Sequence, residues 1–132
     1  MSFTKTSTAR RLLIATAVAA GGLVVGLADP AFAGTNATVR TTDASPGGVA
    51  YFKHAGNKLS VCDVQTDGYT ATADVMWNGQ PQLWPPLEDR TNNGRCVTKS
   101  FSRIPENMVV QVQVCLYRTG YRYCSHYKNA TT

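Results

Sequence analysis

The chain has 132 residues, of which 43% are hydrophobic and 16% are charged, and its formal net charge is +5. A chain of this length has room for one ordinary domain. The Lys and Arg residues form no cluster or stripe along the sequence, which argues against nucleic acid as a partner. The composition therefore predicts a small single domain that does not bind nucleic acid.

Residues 1–33 have the pattern of a cleaved signal peptide. Basic residues come first, an apolar stretch follows, and a small-x-small triplet ends the segment: Lys5, Arg10 and Arg11, then 12–27, then Ala31-Phe32-Ala33. We expect cleavage after Ala33 and export by the general secretory route. A membrane anchor is the alternative, but the apolar stretch is short for a span, which needs about 20 residues. The mature protein is therefore expected outside the cell and off the membrane.

The mature chain, residues 34–132, carries a net charge of +3 rather than +5, because the leader takes away three bases and one acid. All four cysteines, Cys62, Cys96, Cys115 and Cys124, lie in this part of the chain. An even number of cysteines in a short exported chain predicts disulfides, whereas in the cytosol it would suggest a metal site. The sequence contains no Cys-x-x-Cys, and the two histidines are not spaced to complete a zinc site. We expect two disulfides and no metal.

From Gly48 onward, short β-like runs alternate with turn residues, and no apolar period of 3.6 residues persists long enough for a helix. We predict strands near 49–54, 58–65, 69–78, 95–101, 108–118 and 121–128. The breaks between them are rich in Asn, Asp and Gly, which suit turns. This pattern predicts a small antiparallel β-sandwich of about six strands over residues 48–132.

The last hairpin suggests a disulfide pairing. In 108–118 the residues Val110, Val112, Val114 and Leu116 form one apolar row, as Ala71, Ala73 and Val75 do in 69–78. If Thr119-Gly120 is a two-residue hairpin loop, Cys115 and Cys124 face each other across the ladder. A four-residue loop keeps this register, while a three-residue bulged loop would break it. We predict Cys115–Cys124, and with it Cys62–Cys96.

Two segments are candidates for binding a partner. Residues 34–47 contain one large apolar side chain, Val39, so we expect a mobile N-terminal arm that docks in a cleft or at a sheet edge of a partner. The alternative is a disordered leader that has no role. The predicted contacts in this arm are Thr35, Asn36, Ala37, Thr38, Val39, Arg40 and Thr41. The proline-rich loop after Trp77 carries Trp84, which is either a second exposed anchor or a lid packed on the domain, whereas Trp77 is expected in the core.

No catalytic or cofactor constellation is recognisable. The sequence has no nucleophile elbow, zinc-protease helix or phosphate-binding glycine loop. His54 and His126 are best interpreted as surface residues. Asp63, Asp67 and Asp74 have a spacing that suggests calcium, but the full ligand pattern of a calcium loop is absent. We predict a protein without catalytic activity or a cofactor.

Several segments carry a resemblance to known proteins: the Ala-Phe-Ala leader end, Leu59-Ser-Val-Cys62-Asp-Val-Gln-Thr-Asp67-Gly68-Tyr, Gly94-Arg-Cys96-Val, Val112-Gln-Val-Cys115 and Tyr123-Cys124-Ser. The mature chain resembles small secreted proteins of filamentous actinobacteria, and among them the adaptor subunits of umbrella toxin particles. This resemblance implies a non-catalytic module that joins a lectin-like subunit to a repeat-containing toxin subunit.

The chain is also similar to small actinobacterial inhibitors of hydrolases, which are two-disulfide β-proteins. The amylase-inhibiting branch of that family uses a Trp-Arg-Tyr triplet. Neither Trp77 nor Trp84 adjoins an arginine here, so this resemblance implies an extracellular hydrolase other than amylase as the target. An adaptor and a hydrolase inhibitor are therefore the two functional expectations.

Overall fold

The computed structural model describes residues 33–132, so the predicted signal peptide lies outside the described residues except for Ala33. The described chain contains ten strands: β1 (Ala37–Arg40), β2 (Gly48–Lys53), β3 (Lys58–Asp63), β4 (Thr70–Trp77), β5 (Gln80–Pro81), β6 (Leu87–Asp89), β7 (Val97–Ser100), β8 (Val109–Arg118), β9 (Tyr121–Cys124) and β10 (Lys128–Thr131). Residues 33–132 hold no helix, and hence none long and apolar enough to cross a membrane.

The strands form two antiparallel sheets. The first sheet has the order β1-β2-β3-β7, and the second has the order β10-β8-β4-β5, with β6 also paired to β4 and β9 to β8. The predicted small all-β sandwich is therefore confirmed, with more strands than the six expected. The predicted strand 121–128 is in fact two strands, β9 and β10, that both pair with β8.

One core fills the space between the sheets. The apolar rows predicted in β4 and β8 are buried, and they meet Phe52, Leu59 and Val61 from the first sheet. Full burial of a Val, Leu or Phe side chain contributes about 1.5–3 kcal/mol. Trp77, expected in the core, is partly buried and packs against its rim. The alternation of these two long strands thus fixes which sheet face is internal.

The β8–β9 hairpin has the predicted register. Arg118 pairs with Tyr121 and Cys115 with Cys124, and Gly120 in the turn has a φ of 82°, a conformation that favours glycine. Both predicted disulfides, Cys115–Cys124 and Cys62–Cys96, are present. This pattern is consistent with an oxidising environment such as the extracellular space.

The prediction that residues 34–47 form a mobile arm is wrong. Residues 37–40 form β1, which pairs with β2 from Ala37↔Phe52 to Arg40↔Val49. Ala37, Val39 and Thr41 are buried, and Val39 is only 6% exposed. The strand addition expected at a partner's sheet is made within the chain, because β2 offers an edge and the alternating small apolar residues fit the core.

The two lateral sides of the sandwich differ. On one side Thr35 pairs with Thr131, with N–H···O distances of 3.0 and 3.3 Å, and this bridge joins the edges of β1 and β10. On the other side lie β7 of the first sheet and β5 and β6 of the second, which make no ladder with each other in the described chain. We call this second side the open side.

Candidate partner-binding surface

The loop between β5 and β6, residues 82–86, presents a tryptophan at the open side. Leu83 is 5% exposed and belongs to the core, whereas the next residue, Trp84, is 88% exposed. When a partner covers so exposed an aromatic side chain, apolar surface is removed from water, and this favours binding. The loop therefore combines a buried anchor with an exposed side chain in adjacent positions.

Hydrogen bonds to β4 hold the first half of this loop. The Gln82 N–H donates to the Val75 carbonyl at 2.8 Å, and the Leu83 N–H donates to Asp74 Oδ1 at 3.1 Å. The Val75 N–H donates to the same carboxylate oxygen at 2.7 Å. Because its entry is fixed in this way, the loop loses little conformational entropy on binding.

The carboxylate of Asp74 accepts two of these hydrogen bonds. Desolvation by burial raises its pKa, and the N–H groups of Val75, Leu83 and Gln82 oppose that shift. Backbone donors stabilise the ionised form, while burial disfavours it. Asp74 is thus a positioning residue for the Trp84 loop, a role that the sequence did not suggest.

A shallow groove of about 160 Å³ crosses the outer face of the second sheet, and we call it the face groove. Trp84 and Pro86 form one wall, and Arg122 and Tyr127 form the other. Its floor is made by outward residues of β4 and β8, with Thr72, Asp74 and Gln113 among them. The face groove extends the surface around Trp84 across the sheet.

A larger groove of about 500 Å³ lies on the opposite flank of the loop, and we call it the edge groove. It is bounded by residues 81–84 and by the chain from Lys99 to Arg103, so it spans the open side between the two sheets. Phe101 is buried beside it. Pro81 and Trp84 line both grooves, which places Trp84 on the ridge between them.

The β8–β9 hairpin presents a second aromatic surface. Tyr117, Tyr121 and Tyr123 are exposed, with Tyr121 and Tyr123 on one face of the hairpin and Tyr117 on the other. The Arg118 guanidinium lies 4.7 Å from the ring centre of Tyr69 and 5.8 Å from that of Tyr121. Such cation–π contacts stabilise the arginine over the rings. This hairpin surface is the second place where a partner finds exposed aromatic area.

The seven predicted contacts of the arm do not form a free surface. Three of them are buried in the core: Ala37, Val39 and Thr41. Asn36 accepts a hydrogen bond from the His54 N–H at 3.0 Å through its side chain, and Thr35 is in the bridge to β10. Thr38 and Arg40 are exposed on the outer face of β1. Of the predicted site residues, Trp84 alone is presented as an anchor.

Of the aspartates suggested for calcium, Asp63 and Asp67 are near enough to interact electrostatically, whereas Asp74 lies beside the Trp84 loop. His54 is half-buried against Gly34, where an added Cβ would lie 2.6 Å from the histidine side chain, and His126 is exposed. Asp63 neighbours Asp89, whose carboxylate accepts its N–H at 3.0 Å, rather than Asp74. Within residues 33–132, no three His, Cys, Asp or Glu side chains group as metal ligands would.

The fold and surface define a small disulfide-bonded β-sandwich that presents one exposed tryptophan between two grooves. Comparison of the chain with protein-family models, with curated proteins and with solved structures finds no match. The functional argument therefore depends on this surface.

Proposed function

We propose that this protein is an exported, non-catalytic module that binds another extracellular protein through the Trp84 loop. The observation that carries the proposal is Trp84 itself, 88% exposed beside a residue that is 5% exposed. Tryptophan is among the commonest energetic anchors of protein interfaces, especially where the surrounding surface is already ordered. The hydrogen bonds to Asp74 and Val75 supply that order.

An adaptor of an extracellular antibacterial toxin assembly is the form of this function that we favour. An adaptor must hold two partners at once, so it needs two separate surfaces. The Trp84 loop supplies one, and Tyr121 and Tyr123, on the face of β9 opposite to the groove residue Arg122, supply the other, in place of the arm that the sequence suggested. In this proposal the partners are a lectin-like subunit and a repeat-containing toxin subunit.

A secreted inhibitor of an extracellular hydrolase is the alternative, and a specific observation favours it as well. An inhibitor needs one ordered, convex loop, and the Trp84 loop is pinned at Leu83 while its next side chain projects. Such an inhibitor would place Trp84 in the active-site cleft of one enzyme. The hairpin would then have no binding role.

The test is capture from the extracellular medium of the producing cells, with residues 34–132 immobilised. We expect Trp84→Ala to abolish capture of at least one protein without lowering the melting temperature, because an exposed side chain adds little to folding. Val109→Ala is the matched control, since Val109 is also exposed but lines neither the face groove nor the edge groove. Equal capture by the wild type and Trp84→Ala would refute the proposal.

The two forms of the function give different results in the same experiment. An adaptor captures two different proteins, and Tyr121→Ala releases one while Trp84→Ala releases the other. An inhibitor captures one hydrolase, whose activity falls in proportion to the bound protein. Turnover of a substrate by the purified protein alone would contradict both.

A further inference from the structure

Strand β7 is an unpaired edge beside the Trp84 loop. Within residues 33–132 it pairs only with β3, from Lys58↔Ser100 to Val61↔Val97, and all four of its residues are exposed. An edge strand offers a row of free N–H and C=O groups to another chain. The edge groove runs along the end of this strand, at Lys99 and Ser100.

The register shows which main-chain groups are free. The Phe101 N–H donates to the Asn57 carbonyl at 2.9 Å, and these two residues continue the β3–β7 register by one pair. Hydrogen-bonded and non-hydrogen-bonded pairs alternate along an antiparallel ladder, so Lys99 faces β3 while Thr98 and Ser100 direct their N–H and C=O groups outward. The Thr98 and Ser60 hydroxyls, 2.7 Å apart, fit the closely spaced non-hydrogen-bonded pair.

The charge beside this edge is positive. Lys99 is paired with the core residue Leu59 and therefore lies on the inward face of β7, where it lines the edge groove together with Arg103. Within the described chain, no Asp or Glu lines this groove. An incoming strand meets two cations and no anion, which favours acidic side chains.

The same lysine excludes a second copy of this chain. An inward-facing charge on an edge strand is a device that prevents pairing of like edges, because two copies would bring Lys99 against Lys99. An acidic strand removes that repulsion and pairs the charge instead. The edge of β7 therefore disfavours pairing with a second copy of this chain but permits pairing with an acidic strand.

We propose that an extended, acidic segment of the partner protein adds to the edge of β7 as a further strand, either antiparallel or parallel. Trp84 covers the outer side of this added strand. The inference rests on the proposed function and deepens it, since it names the part of the partner that the Trp84 surface recognises. Main-chain hydrogen bonds to Thr98 and Ser100 supply affinity, and Lys99 and Arg103 select the charge.

The test uses a displayed library of random heptapeptides, selected on residues 34–132. We expect the selected peptides to carry Asp or Glu at alternate positions and to bind at least tenfold more weakly to Thr98→Pro. Proline at this position removes an outward N–H but no bond to β3, and edge strands tolerate it. Thr98→Ala, which keeps the N–H, is the matched control and should bind like the wild type.

A second measurement keeps the test independent of how Thr98→Pro folds. In this measurement one amide nitrogen of a selected peptide is methylated at a time, and the protein is unchanged. Methylation should abolish binding at every second residue, where the N–H faces β7, and should have little effect at the residues between. Peptides without acidic enrichment, or equal binding to wild type and Thr98→Pro, would overturn strand addition. If Trp84→Ala still releases the native partner while Thr98→Pro does not, the proposed function stands and this inference fails.

Discussion

Asp74 Oδ1 accepts the N–H of Leu83 at 3.1 Å, and this bond ties the Trp84 loop to the central strand of the second sheet. Asp74 lies on the outward face of β4, between the buried residues Ala73 and Val75. Its side chain therefore connects a strand in the sandwich to the residue that precedes the exposed tryptophan. This bond thus helps to hold the backbone that presents Trp84.

Replacement of Asp74 by Ala should destabilise the fold by about 1–3 kcal/mol, because the Leu83 N–H loses its acceptor. It should also weaken binding of the partner, since the loop is no longer held. Asp74→Asn keeps an oxygen acceptor and removes the charge that burial disfavours, so it should retain both stability and binding. Urea unfolding and calorimetric titration measure the two effects. Equal loss of binding in both variants would mean that the charge, not the hydrogen bond, matters.

Val39→Ala should cost about 1–3 kcal/mol, because Val39 is buried against the core while belonging to the N-terminal strand. Its neighbour Thr38 is exposed, so Thr38→Ala should change stability by less than about 0.5 kcal/mol. Thermal unfolding of residues 34–132 distinguishes the two. If both variants melt like the wild type, β1 contributes no packing.

Removal of either disulfide should destabilise the protein by an amount that follows the length of the closed loop. The separations are 9 residues for Cys115–Cys124 and 34 for Cys62–Cys96, which correspond to about 2.7 and 3.8 kcal/mol in the chain-entropy treatment. Double Cys→Ala variants and urea titration measure the losses. A larger loss for the hairpin disulfide than for the long one would show that entropy of the unfolded chain is not the main term.

The buried carboxyl of Asp63 should make stability depend on pH. Desolvation, together with the negative charges of Asp67 and Asp89, raises its pKa above the ordinary value, although the Gln65 N–H opposes the shift. The folded chain therefore holds this proton more tightly than the unfolded chain, and the contribution to stability falls as pH rises above about 4. Below about pH 3 the group is protonated in both the folded and the unfolded state, so this contribution no longer changes.

Asp63→Asn retains an acceptor for the Gln65 N–H and has no charge to bury. Its gain over the wild type should appear as pH rises above about 4 and vanish below pH 3. Urea unfolding of both proteins between pH 3 and 7 measures the difference, in which the other titrating groups cancel. A gain that shrinks with rising pH would contradict the assignment of the shift to burial.

The sequence predicted the long half-buried strands because their apolar and polar residues alternate over many positions. Val110 to Leu116 on β8 and Ala71 to Val75 on β4 are of this kind, and a two-residue turn then determined the register of Cys115 and Cys124. These features depend on local chain geometry, which the sequence contains directly.

The remaining features depend on contacts between distant segments. The strand Ala37–Arg40 could not be predicted from the polar composition of residues 34–47. Its alternation of buried and exposed residues is only four residues long, and its partner strand lies at Gly48–Lys53. Strands β5 and β6 are too short to show a period. The open edge of β7 and the cations beside Trp84 follow from the strand order, and no local pattern encodes that order.

The bridge between Thr35 and Thr131 places the two ends of the described chain, residues 33–132, side by side, on the lateral side away from β7 and Trp84. The ends differ in their freedom: Thr132 is buried and its hydroxyl donates to the Pro105 carbonyl at 2.6 Å, whereas Ala33 is exposed. A tether joined at residue 33 would therefore leave the open side pointing outward and unobstructed. Attachment to a sensor surface or fusion to a carrier is best made at that end. Residues added after Thr132 would destabilise the fold, because Thr132 is buried.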